Sequence, residues 1–94
     1  MNFTRHVELG DWKGQPVLAV RDFELVDFLE DHFLELGVET ALAQPAESGA
    51  PYQLLFPAGT TKATVWLALE AIGQQEIERI VAINSGARSA GHGA

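Results

Sequence analysis

Residues 22 to 37, DFELVDFLEDHFLELG, constrain the fold more than any other stretch of the chain. At 100° per residue, Leu25, Val26, Leu29, Phe33 and Leu36 fall on one side of a helix, with Glu24, Asp27, Asp31 and Glu35 opposite. Asp22 stands where an N-cap acceptor belongs, and Gly37 stands where a helix C-terminus favours glycine. Such a helix buries one stripe and leaves its carboxylates in water. The chain therefore needs a second layer to receive the apolar side.

The flanking segments supply a sheet. FTRHVEL (3–9) sets Phe3, Arg5, Val7 and Leu9 against Thr4, His6 and Glu8, which is strand periodicity. GDWKGQ reads as a turn and PVLAV (16–20) as a second strand, so the two predict a hairpin, with Pro16 at the strand's start or on an edge. VETALA (38–43) and YQLLF (52–56) are further strands, separated by the loop QPAESGAP.

Residues 61 to 71 are readable two ways. As a strand, Ala63, Val65, Leu67, Leu69 and Ala71 share one face, and Thr64-Val65-Trp66 has β-forming character. As a helix, the apolar residues point in every direction, although Ala-Leu-Glu-Ala has high helix propensity. The reading adopted is a fifth strand, with the helix as the alternative. Gly73 breaks the run, and residues 74–84 form a second helix with Ile77, Ile80, Val81 and Asn84 on one face. The predicted order is β-β-α-β-β-β-α: an α+β two-layer sandwich, with an antiparallel sheet of about five strands and both helices on one face. Residues 1–85 make one domain, and 86–94, lacking core-forming residues, are expected to be a disordered tail.

Composition narrows the functions. Thirteen acids face six bases for a net charge of −7, and no Lys or Arg lies between Arg21 and Lys62. A nucleic-acid backbone needs Lys and Arg to replace its counterions, so neither nucleic acid nor an anionic membrane is an expected partner. A protein with a basic surface is electrostatically suited. The absence of cysteine removes disulfides, thiolate zinc sites and iron–sulfur clusters. The first residues lack the apolar core of a secretory signal, and no run approaches the ~20 apolar residues of a membrane span. A cytoplasmic location is expected.

PAGTTK (57–62) resembles a phosphate cradle only superficially. It has one glycine, and its lysine follows the threonines, whereas a P-loop needs several glycines with Lys before Ser/Thr. It reads as a turn. His6, His32 and His92 show no metal-binding spacing, and Ser48, Ser85 and Ser89 lie in no nucleophile elbow. His32 reads as a boundary residue beside Phe28. His6 shares a strand face with Glu8, and an enzyme using His6 or His32 would need a cleft over them.

Asp27, Asp31 and Glu35 repeat every four residues along one helix face. A straight row of carboxylates does not converge as a hard cation requires, so no metal and no cofactor is assigned. The two like-charge pairs, together with Glu35 at the negative end of the helix dipole, cost about 1–2 kcal/mol. That is tolerable but not what stability alone selects. The sequence reading is thus a non-enzymatic interaction module, docking a basic protein through Glu24, Asp27, Phe28, Asp31 and Glu35. Its uncovered sheet face, carrying Trp12, Trp66 and Leu55, is expected to form a homodimer or, alternatively, to hold a small ligand.

Overall fold

The computed structural model describes residues 1–45 and 50–93, with side chains as far as Ile83. The elements are β1 (Asn2–Thr4), β2 (Val7–Trp12), β3 (Gln15–Val20), α1 (Phe23–Glu35), β4 (Ala41–Ala43), β5 (Tyr52–Leu55), α2 (Lys62–Ile72) and α3 (Gln74–Gly93). The five strands pair antiparallel in the order β1-β2-β3-β5-β4. The architecture is α+β, with the sheet covered on one face by three helices.

The β2–β3 hairpin is closed by Lys13 (φ 53°) and Gly14 (φ 79°), a two-residue turn with positive φ at both centres, whose twist matches that of the strands. Trp12 and Gln15 flank the turn as a hydrogen-bonded pair, so the next pair, Asp11–Pro16, is not hydrogen-bonded across the hairpin. The missing N–H of Pro16 therefore points away from β2. On its other side β5 pairs only from Val17 onward. That is how a proline is accommodated at the start of a central strand.

The single N-terminal strand expected over 3–9 is two strands. Arg5 and His6 turn the chain, and the His6 amide donates to Thr4 Oγ1 at 3.0 Å, a local bond that competes with the ladder. Helix α1 forms as its periodicity requires. The Asp22 carboxylate accepts from the Leu25 amide at 3.1 Å. At the other end Gly37 (φ 82°) donates to Leu34 O and Val38 donates to Phe33 O, both at 2.9 Å, which is a Schellman closure. Leu25, Val26, Leu29 and Phe33 are buried; Leu36, expected with them, is the exposed C-cap.

The segment 61–71 is a helix, correcting the strand reading. Thr61 Oγ1 caps it by accepting from the Thr64 amide at 3.1 Å. Val65, Ala68, Leu69 and Ile72, spaced as one helical stripe, pack on the core, while Leu67 stays exposed. The alternation arises because Ala63, Leu67 and Ala71, all exposed, interleave with Val65 and Leu69 of that stripe. Helix α3 begins at Gln74 as predicted and buries Ile77, with Ile80 and Val81 packed beside it. It runs beyond Ser85-Gly86; the side chains of the expected tail lie outside the described residues.

The core lies between the helices and one sheet face. Val7 and Leu9 of β2, Leu18 and Val20 of β3 and Leu54 of β5 are almost fully buried under α1, α2 and Ile77. Phe33 and Phe56 meet edge to face, with centroids 4.9 Å apart. Polar ties fix the helices to the sheet. Gln74 Nε2 donates to Phe3 O at 2.7 Å, and Lys62 Nζ donates to Asp11 Oδ1 at 2.8 Å.

Two outcomes follow. Thr61→Ala removes the cap and should lower stability by about 1 kcal/mol in urea denaturation, with faster amide exchange confined to the first turn of α2. The Lys62 hydrogen bond, and then its charge, hold the Asp11 carboxyl below the usual aspartate range. A lowered folded-state pKa means the pair adds stability above the ordinary aspartate value and loses it as pH falls through the folded-state value. In Lys62→Ala, carboxyl NMR titration should find the Asp11 midpoint back in the ordinary range.

Candidate interaction surfaces

Two surfaces emerge on opposite sides of the molecule, because α1 covers one sheet face and turns its carboxylates away from it. On the outer side of α1, Glu24, Asp27, Asp31 and Glu35 are all exposed. Among the described residues none of them has an ion-pair partner: Lys62 is taken by Asp11, Arg79 by Glu76, and Arg5 faces Glu78 at 3.8 Å. Asp27, Glu30, Asp31, Glu39 and Thr40 border a shallow hollow of about 280 Å³ around Leu34, which is 61% exposed.

Phe28, expected as the apolar anchor of this surface, is instead half-buried. It packs on the core, and its ring stacks on that of His32 at 6.3 Å. His32 Nε2–H donates to the Ala68 carbonyl at 3.3 Å, which ties this flank of α1 to α2. Leu34, on the other flank, is the apolar residue that remains among the acids.

The second surface is the sheet face that no described helix covers. Register places Glu8, Gly10 and Trp12 of β2 beside Ala19, Val17 and Gln15 of β3, followed by Gln53 and Leu55 of β5 and Ala43 and Ala41 of β4. Most of these line a concave trough of about 480 Å³. Trp12 is 61% exposed, with Lys13 Nζ 4.6 Å from its ring centroid. Leu55 lies on this face as expected, and Trp66 does not. Because 62–72 is helical, Trp66 lies on the covered side, edge to face with Phe3 at 5.2 Å.

His6 and His32 are engaged in packing and pairing. His6 Nε2 lies 2.9 Å from Glu78 Oε1 of α3 rather than beside Glu8, because residue 6 is in a turn. It borders a polar hollow of about 330 Å³ with Thr4, Arg5, Glu8 and Arg21; among the described residues its one hydroxyl, that of Thr4, already accepts from the His6 amide. Among the described residues no three His, Asp or Glu side chains converge as a metal site, and no helix is long and apolar enough to cross a membrane. Ser48 lies outside the described residues, as do the side chains of Ser85, Ser89 and His92.

No known protein family, curated protein or solved structure matches the chain.

The unpaired stripe on α1 has a direct energetic signature. Glu35→Lys removes repulsion with Asp31 and places a cation at the helix C-terminus, so it should raise stability by about 0.5–1.5 kcal/mol in low-salt urea melts. Glu24→Lys, in the first turn, should lower it by about 0.3–1 kcal/mol. Both effects should shrink in concentrated salt.

Proposed function

We propose that the protein is a non-enzymatic interaction module whose α1 surface docks a partner protein bearing Lys and Arg side chains. The observation that carries this reading is the row Glu24, Asp27, Asp31 and Glu35, exposed and without ion-pair partners among the described residues. The row lowers stability where a single lysine would raise it, as expected of charges kept for an external partner. The hollow around Leu34 supports the choice of partner chemistry. A Lys or Arg stem lies well on an exposed leucine while its charged head reaches Asp27, Asp31 or Glu39. His6 pairs with Glu78 and His32 with the Ala68 carbonyl, and the proposal assigns neither a catalytic role. A cytoplasmic location, compatible with the cysteine-free sequence, belongs to the same reading.

Affinity capture from host extract, with wild-type protein beside Asp27→Lys/Asp31→Lys/Glu35→Lys, tests it. A partner retained by the wild type at low salt should be lost both in concentrated salt and on the charge-reversed protein, which should keep the wild-type circular dichroism spectrum. Equal capture by the charge-reversed protein would discard the proposal.

A further inference from the structure

The open sheet face is independent of α1, and three observations bear on what it holds. The first is Gly10. It lies within β2, where residues 7–12 pair with β3 in unbroken register, so no bulge calls for glycine there. Its φ is not positive, and a Cβ built on it would meet no atom within 4 Å. Neither backbone conformation nor the chain's own packing requires glycine, which weakens a strand interior. What the missing side chain does create is bare backbone on the floor of the trough, between Glu8 and Trp12. Glycine in that setting marks close approach by something else.

The second observation is size. A trough of about 480 Å³ lies within the roughly 300–1,000 Å³ of small-molecule sites. A second copy of the chain would need more surface than the face offers. The 22 residues of the five strands, at about 4.8 Å by about 3.3 Å each, give a footprint of about 350 Å². Stable interfaces bury about 800 Å² per partner, more than twice that footprint.

The third is the chemistry of the lining. Val17, Ala19, Ala43 and Leu55 make an apolar floor around Gly10, with the Trp12 indole as a wall. The charged residues in the lining are Glu8 and Asp11, and Lys62 already neutralises Asp11. Among the described residues no Lys or Arg lines the trough; Lys13 sits over the indole without joining the lining. Glu8 is exposed and has no ion-pair partner among the described residues.

We propose that this trough binds a small planar organic cation: an aromatic or heteroaromatic ring carrying a protonated amine. The ring lies flat over Gly10 against Val17 and Leu55, its edge or face meeting Trp12, and the amine reaches Glu8. Gln53, at the far wall, supplies an amide for a further hydrogen bond. The Glu8 carboxylate favours an ammonium group over a neutral or anionic one.

The test is a ¹⁵N NMR titration of the full chain with phenethylamine, tryptamine and 2-(aminomethyl)naphthalene, each beside a carboxylate of the same ring (3-phenylpropionate, indole-3-propionate and 2-naphthoate). Saturable shifts are expected at the Gly10, Val17 and Leu55 amides and the Trp12 indole, with the Trp66 indole unmoved. The amines should bind about fivefold tighter than the carboxylates. Glu8→Gln should erase that preference while leaving ring binding. Gly10→Val, whose side chain enters open space and suits a strand, should abolish the shifts and keep the spectrum dispersed. Equal binding of amines and carboxylates, shifts confined to Asp27 and Asp31, or no saturable shift would overturn the proposal. So would sedimentation showing a dimer in which the Trp12 indole is protected, since the face would then belong to a second copy.

Discussion

The arrangement rests on the packing of Leu18. It stands in the central strand opposite Leu9 of β2 and Leu54 of β5, and all three are almost fully buried. Helices α1 and α2 complete the same core with Leu25, Leu29, Phe33, Val65 and Leu69. Because side chains alternate along a strand, fixing Leu18 inward fixes Val17 and Ala19 outward, and the same holds for Gly10 and Trp12 beside Leu9. A one-residue slip would send the leucines to water and the indole to the core, so burial itself enforces the register. Both candidate surfaces follow: carboxylates on the outside of the helical layer, and the trough on the outside of the sheet.

Charge is partitioned along the same axis. Lys62 is paired with Asp11 and Arg79 with Glu76, and α1 contains no Lys or Arg to answer its acids. The chain tolerates this because the helix is secured by other means: an Asp22 cap, a Schellman closure at Gly37 and four buried apolar residues. Burial of that stripe outweighs a repulsion of about 1–2 kcal/mol several times over. Packing therefore secures α1, and its surface charge is free to serve recognition.

The histidines show how position decides role. His32 sits one helical turn after Phe28 and was recognisable as a boundary residue; its bond to Ala68 makes it a joint between α1 and α2. His6 looked like a strand residue paired with Glu8. The turn at Arg5–His6 gives it instead to Glu78, 72 positions along the chain, a partner no local spacing could have indicated.

The sequence by itself determined the elements whose signals are local. Helix α1, with both its ends, was legible from a 3.6-residue stripe bounded by Asp22 and Gly37, and the β2–β3 hairpin from the turn composition of GDWKGQ between two strand-like runs, although only Lys13 and Gly14 of those six turn the chain. The exposed acids followed from α1 alone, and Trp12 and Leu55 were assigned to the open face. Tertiary structure decided what depends on which neighbour offers burial. Residues 62–72 carry a period-2 and a period-3.6 pattern at once. The helix prevails because Val65, Ala68, Leu69 and Ile72 find the sheet's covered face, which carries Trp66 away from the trough and onto Phe3. Phe28 packs on the core and on His32, whose bond to Ala68 is made to a segment that the sequence placed in the sheet. Gly10 read as the start of the GDWKGQ turn, whereas it lies within β2. Its vacancy exists only once β3, β4 and β5 lie beside it, for a floor is made by strands that pair across the chain.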